Sequence, residues 1–231
     1  MKEFILSEQA TLFSHREVIG FGDTDFYVKK LNRDIANDLI VKNHYSKKFY
    51  NASYIHLGVY MNKELVGCLQ FGYAMNPASQ DSVVKGTAID EYLELNRMWL
   101  DDRCPRNYET RAISYAIKYI KKVFPKVKWI QSFADERCKA LGVVYQAASF
   151  GYFGEHTAIF WTLDDEIYHN SLMTRNPNLS EAAERIQLGK NRATSEKLRQ
   201  FRYIHFIDKR QKKNCLLKEQ SYPKRLTFNP L

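Results

Sequence analysis

The residues best suited to chemistry fall in three places: His44-Tyr45-Ser46 at the end of an expected helix, Asp135 directly after an expected strand, and Tyr145 on a short helix. Histidine serves near neutral pH as a general base or a metal ligand. Adjacent polar aromatics at a helix end are seldom core. An imidazole, a carboxylate and two phenols meeting at one cavity would give mixed nitrogen and oxygen ligation, which suits a redox-active iron better than a structural zinc. Taken singly, each has a plainer reading: a lone histidine is commonly a satisfied structural residue, and Tyr145 a core aromatic.

The elements that must position these side chains are densest between Glu91 and Glu155. The order is a strand (Glu91–Leu100), the turn Cys104-Pro105-Arg106-Asn107, an amphipathic helix to Lys122, a strand (Trp129–Ala134), and a short helix over about Gly142–Phe150. Gly151-Tyr152-Phe153-Gly154 then reads as a corner. Ala112, Ile113, Ala116, Ile117 and Ile120 follow a 3.6-residue period. A β-α-β-α run of this kind is what a fold that holds the pyrophosphate of coenzyme A would need, because a helix N-terminus presents free N–H groups to an anion. Arg106 would add a charge-assisted contact, and Asn107 or Thr110 would cap the helix. The turn contains no glycine, so by itself it also reads as an ordinary connection.

Elsewhere, Leu31–Asn43 has helical spacing. Tyr54–Met61 and Leu65–Ala74 flank a turn at Asn62-Lys63-Glu64 and read as a hairpin. Ile19–Asp23 reads as a strand ending in a turn, and Asn76–Thr87 as a loop. His156–Leu163 and Phe201–Ile207 read as strands, and Ser180 as the N-cap of a helix to Leu188. The expected architecture is α+β, a mixed sheet with helices on both faces. One domain would span residues 1–231, with an insertion at about 164–200 and a basic tail at about 208–231.

The 231 residues carry a formal charge of +9, with 45% hydrophobic and 14% aromatic residues, so a filled core is available and disorder of the whole is excluded. The charge is uneven. Between Arg199 and Arg225, nine Lys and Arg face only Asp208 and Glu219, and Phe201, Tyr203, His205, Phe206 and Tyr222 lie among them. Cations interleaved with aromatics suit phosphate contact and base stacking, with Lys209, Arg210, Lys212 and Lys213 as the expected DNA contacts. The plainer alternative is a terminal strand with its aromatics in the core. Cys68, Cys104, Cys138 and Cys215 form no zinc spacing and indicate a reducing compartment. The first residues make too short an apolar run for a signal peptide, and no stretch is long and apolar enough for a membrane span. A cytoplasmic protein with no membrane partner is expected.

Several segments together resemble the Mom family, DNA-modification proteins of phage Mu and its relatives. They are Asn43-His44-Tyr45-Ser46, His56-Leu57-Gly58-Val59-Tyr60, Leu65-Val66-Gly67, Glu94-Leu95-Asn96-Arg97-Met98-Trp99, Cys104-Pro105-Arg106-Asn107, Ser132-Phe133-Ala134-Asp135, and Val144-Tyr145-Gln146-Ala147 with Gly151-Tyr152. The resemblance implies a fold like that of GNAT acyltransferases. It implies conversion of adenine in double-stranded DNA to its N6-carbamoylmethyl derivative, which shields phage DNA from host restriction, with acetyl-CoA as donor and an iron site. Carried over, His44, Tyr45, Asp135 and Tyr145 would hold the metal. His44, Asp135, Tyr145 and Arg97 would be catalytic, and Arg97, Met98, Trp99, Arg106, Asn107 and Thr110 would meet the donor.

That product is joined through a methylene carbon, whereas attack on a thioester carbonyl would give N6-acetyl adenine. One-electron chemistry at iron would supply the missing activation. Two other readings compete: a conventional GNAT N-acetyltransferase acting on a protein or small-molecule amine, and a DNA-binding module that has lost its donor. The oligomeric state is left open, a dimer included.

Overall fold

The computed structural model describes residues 4–7, 17–136 and 141–224; Cys138 and Arg225 lie outside them. Ten strands form one sheet. They are β1 (Phe4–Ser7), β2 (Val18–Gly22), β3 (Phe26–Lys30), β4 (Ser53–Met61), β5 (Glu64–Gly72), β6 (Tyr92–Leu100), β7 (Trp129–Asp135), β8 (Gly151–Leu163), β9 (Glu166–His169) and β10 (Thr194–Phe206). Their spatial order is β1-β2-β3-β4-β5-β6-β7-β10-β8-β9. Every neighbouring pair is antiparallel except β6 with β7.

Local chemistry sets several of these elements. The β4–β5 hairpin turns on Asn62 and Lys63, both at positive φ, as a two-residue turn matching strand twist requires. Helix α1 (Arg33–Asn43) starts on Asn32, whose side chain accepts from the Asp34 N–H at 2.7 Å. Helix α2 (Tyr108–Val123) buries Ala112, Ile113, Ala116, Ile117 and Ile120, the periodic set. Ser180 caps α4 (Glu181–Leu188) by accepting from the Ala183 N–H.

The helices lie on opposite faces. Cys68 and Leu69 are successive residues of β5, so their side chains point to opposite sides. Cys68 meets the Ala36 carbonyl of α1, while Leu69 joins the core that α2 covers. The α+β mixed sheet with helices on both faces is therefore the one expected.

Other details differ from the sequence reading. Gly151-Tyr152-Phe153-Gly154 is not a corner but the start of β8. The preceding helix, α3 (Val143–Ala147), ends at Ala148, and Ser149 takes the positive-φ position. The register of β8 against β10 slips by one residue near here, and Gly154 at φ +92 absorbs the bulge. The insertion ends at 193 rather than 200. Thr194–Arg199 is too polar to show strand alternation, yet β8 supplies its hydrogen-bond partners. β1, β3 and β9 are not among the expected strands; each is a run of only four or five residues, too short for alternation to mark it. Asn107 stands at the N-cap of α2 with φ +71 and makes no side-chain cap bond. The basic segment is a 3-10 turn, Lys209–Asn214, capped by Asp208. The Val84–Cys215 bridge and the Lys85 N–H to Asn214 carbonyl bond tie it to the rest of the fold. Among the described residues no helix is long and apolar enough to cross a membrane.

Candidate functional site

β6 and β7 run side by side for only three residues, Tyr92–Glu94 against Trp129–Gln131. β6 then continues along β5 to Leu100, and β7 along β10 to Asp135. Ser132 Oγ donates to the Leu95 carbonyl at 3.0 Å where they part. Over this parting, beside the C-terminal end of α1, opens a cleft of about 760 Å³. Its floor is Glu94, Asn96, Gln131, Phe133 and Asp135, joined by Gln200 and Arg202 of β10. Tyr45, Ser46 and Tyr50 wall one side, and His169–Ser171 belong to another.

The floor is a connected polar chain. Glu94 accepts from the amides of Gln131 (2.9 Å) and Asn96 (3.2 Å). The Gln131 carbonyl accepts from Arg202 Nη1 at 2.9 Å. The Arg202 guanidinium lies 4.8 Å over the Phe133 ring, and the His156 ring meets Phe133 edge-on at 5.3 Å. Asn96 is itself fixed, accepting from Ser53 Oγ at 2.9 Å and donating to the Tyr73 carbonyl at 3.1 Å. Glu94 opens on the cleft but is otherwise surrounded by protein. That burial pushes its carboxyl up to about 7, even though the Gln131 and Asn96 amides and the Arg202 and Arg97 charges pull the other way. A carboxyl poised near neutrality in a cleft is what proton transfer from an amine needs.

Of the residues expected from the sequence, Tyr45, Arg97 and Asp135 line this cleft. Arg97 is held by the Lys48 carbonyl (3.1 Å) and the Asn96 carbonyl (2.7 Å), beside the Tyr50 ring. His44 is buried next to Tyr45, their rings 4.2 Å apart, and its Nδ1 accepts from the Ser46 N–H at 3.1 Å. Tyr145 is placed differently. It packs against the main core, its ring 5.7 Å from Phe150 and 5.5 Å from Tyr203. Met98 also packs on the core, and Trp99 stands opposite Cys68 of β5. Arg106 is exposed before α2, and Thr110 Oγ1 donates to the Val144 carbonyl at 3.5 Å, joining α2 to α3.

Among the described residues, no three His, Cys, Asp or Glu side chains come together as a metal ion would require. Of the four residues expected to hold iron, His44 and Tyr45 are neighbours, Tyr45 and Asp135 line the cleft, and Tyr145 is partly buried against Phe150 and Tyr203.

Sequence reading passed over Glu94, Gln131 and Arg202 as site residues. The available signal was a charged or amide residue directly after a large apolar one within a strand: Leu93-Glu94, Ile130-Gln131 and Phe201-Arg202.

The model of the Mom protein family matches residues 25–224. Methylcarbamoylase mom of Escherichia phage Mu is 44% identical over 226 residues, covering 96% of this chain and 94% of that protein. The chain belongs to the Mom protein family. Solved acetyltransferases are more distant. Arabidopsis thaliana NAA60 in complex with acetyl-CoA has a TM-score of 0.49 at 9% identity, covering 79% of this chain and 99% of that one. The ribosomal-protein-S5-alanine acetyltransferase of Vibrio fischeri has a TM-score of 0.48 at 11% identity, covering 83% and 98%. The sheet of this Mom-family chain is mixed and covered by helices on both faces, with one parallel pair parting at its centre.

Proposed function

We propose that this protein is a DNA-modification transferase that converts adenine in double-stranded DNA to its N6-carbamoylmethyl derivative, protecting phage DNA from host restriction. The observation that carries this reading is 44% identity, over nearly the full length of both chains, to a protein named methylcarbamoylase. The cleft adds support, since it offers a proton acceptor, aromatic walls and hydrogen-bonding groups at the parting of the sheet.

The roles follow from position. The target amine is inside the base stack, so the base must leave the duplex at a cost of a few kcal/mol. In the cleft it would lie between the Tyr45 and Tyr50 wall and the Phe133 and His156 rings. Glu94 takes a proton from the amine, and Asp135 and Arg97 orient the base and the incoming group. Linking the base through a methyl carbon needs a two-electron oxidant, and the amide forms as an ammonia-level nitrogen displaces the CoA thiol; the two-carbon donor is acetyl-CoA. Its diphosphate would meet the first N–H groups of α2, which have no partner within the helix, together with Arg106 and Thr110. Lys209 and Lys213 are exposed and make no ion pair among the described residues, so they would contact DNA phosphates; Lys212 is paired with Glu219 at 2.5 Å and Arg210 with Asp208 at 2.9 Å.

The test is mass spectrometry of nucleosides digested from the DNA of cells expressing this chain. An adenosine heavier by a carbamoylmethyl group is expected. An acetylated adenosine would indicate plain acyl transfer to DNA, and unaltered nucleosides from cells holding folded protein would overturn the proposal.

A further inference from the structure

Arg202 has no place in the steps above, yet its position ties it to the residue that does. The Gln131 amide bridges the two: its carbonyl accepts from the guanidinium at 2.9 Å, and its NH₂ donates to the carboxylate at 2.9 Å. An amide aligned this way presents its negative end to the cation and its positive end to the anion, so both charges orient it. The Phe133 ring under the guanidinium fixes the far end of the chain. We propose that Arg202 is a positioning residue which, through the Gln131 amide, holds Glu94 in its ionised form and aims it into the cleft. This rests on the reading that Glu94 accepts the proton of the acceptor amine.

The groups around Glu94 are few enough to make the effect legible. On its own strand are Arg97 and Tyr92. β7 brings Asp135, β10 brings Arg202, β8 brings His156, and the segment after α1 brings Tyr50. The cations that favour ionised Glu94 are thus Arg202, linked through one amide, and Arg97, which donates to the Lys48 and Asn96 carbonyls. Removing the Arg202 charge should therefore raise the pH at which Glu94 loses its proton.

The experiment is the pH dependence of kcat/KM for modification of duplex DNA by the full chain. Arg202→Met, Arg202→Lys and Gln131→Met are compared with wild type, and thermal melts check folding. For wild type an acidic limb near pH 7 is expected. Arg202→Met should move that limb up by about one pH unit, lowering activity about fivefold at pH 7 and about tenfold well below it, and recovering it in alkaline buffer. Gln131→Met should move it in the same direction, and Arg202→Lys, which keeps the charge, should move it less. A folded Arg202→Met enzyme that loses the same factor at every pH, with its limb unmoved, overturns the proposal. If Arg202→Met does not fold, the limbs of Gln131→Met and Arg202→Lys decide in the same way. Glu94→Gln separates the two levels. Full activity in that variant removes the proton-acceptor reading itself, whereas an inactive Glu94→Gln with an unmoved Arg202→Met limb removes only the role of Arg202.

Discussion

Asp23 and Glu94 are carboxylates with an arginine nearby, and they are driven in opposite directions. Asp23 lies on the α2 side of the sheet. It accepts the N–H groups of Asp25 (3.1 Å) and Phe26 (2.9 Å), the Tyr115 hydroxyl (2.8 Å) and the Arg111 guanidinium directly. Burial alone would raise its pKa, but Tyr115, the two backbone donors and Arg111 outweigh it and hold the carboxyl below its usual range. Arg111 is enclosed in turn by the rings of Phe26, Tyr108 and Tyr115. Glu94 has two neutral amide donors, and Arg202 reaches it only through the Gln131 amide. Burial wins there, and the carboxyl rises to about 7. A cation in direct contact makes a structural pin between α2 and the β2–β3 turn. A relayed one leaves a carboxyl able to exchange a proton.

The sharpest way to break this comparison is to remove both carboxylates separately. Glu94→Gln keeps the shape of the side chain and its amide neighbours but cannot take a proton, so modified adenosine should fall by about a hundredfold or more in a folded protein. Asp23→Ala should do the reverse. It leaves the half-enclosed Arg111 with only the neutral Tyr115 hydroxyl in place of a carboxylate, costing about 2–3 kcal/mol in denaturant melts, with activity per folded molecule unchanged.

The pH dependence of stability should separate them as well. The folded pKa of Asp23 is depressed, so its contribution is present above the usual 3.8 and is lost as pH falls through the folded value. The folded pKa of Glu94 is raised from the usual 4.5, so its contribution is fully present below about 4.5 and is lost as pH rises through about 7. Glu94→Gln should therefore melt higher than wild type at pH 8, by an amount on the order of 1–2 kcal/mol, and equal it near pH 4. A melting difference independent of pH would break the contrast.

The smallest effects extend the same distinction to the surface. Lys213 makes no ion pair among the described residues, while Lys212 contacts Glu219 directly. Lys213→Ala should reduce the salt slope of DNA binding by about one, and Lys212→Ala by less. Equal slopes for the two variants would show that the Glu219 pairing does not persist when DNA binds.

Periodicity and turn chemistry made much of the fold legible. The spacing of α2, the Asn62-Lys63 hairpin, the Ser180 cap and the strand–helix–strand run from β6 to β7 are local signals, and local hydrogen bonds enforce them. The sequence also pointed to Tyr45, Arg97 and Asp135 as residues at strand and helix ends near one opening. For Tyr145 the sequence left two readings, a site residue or a core aromatic; the side chain packs, partly buried, against Phe150 and against Tyr203, which arrives from β10 in a sheet position the local pattern does not encode. The sequence did not show Glu94, Gln131 and Arg202 as one chain. Their contacts span 37 and 71 residues, and each sits on a different strand. Strand alternation says which face a side chain takes, but only the pairing of distant strands decides what it meets there. By placing β10 between β7 and β8, the tertiary structure set a cation one amide from Glu94.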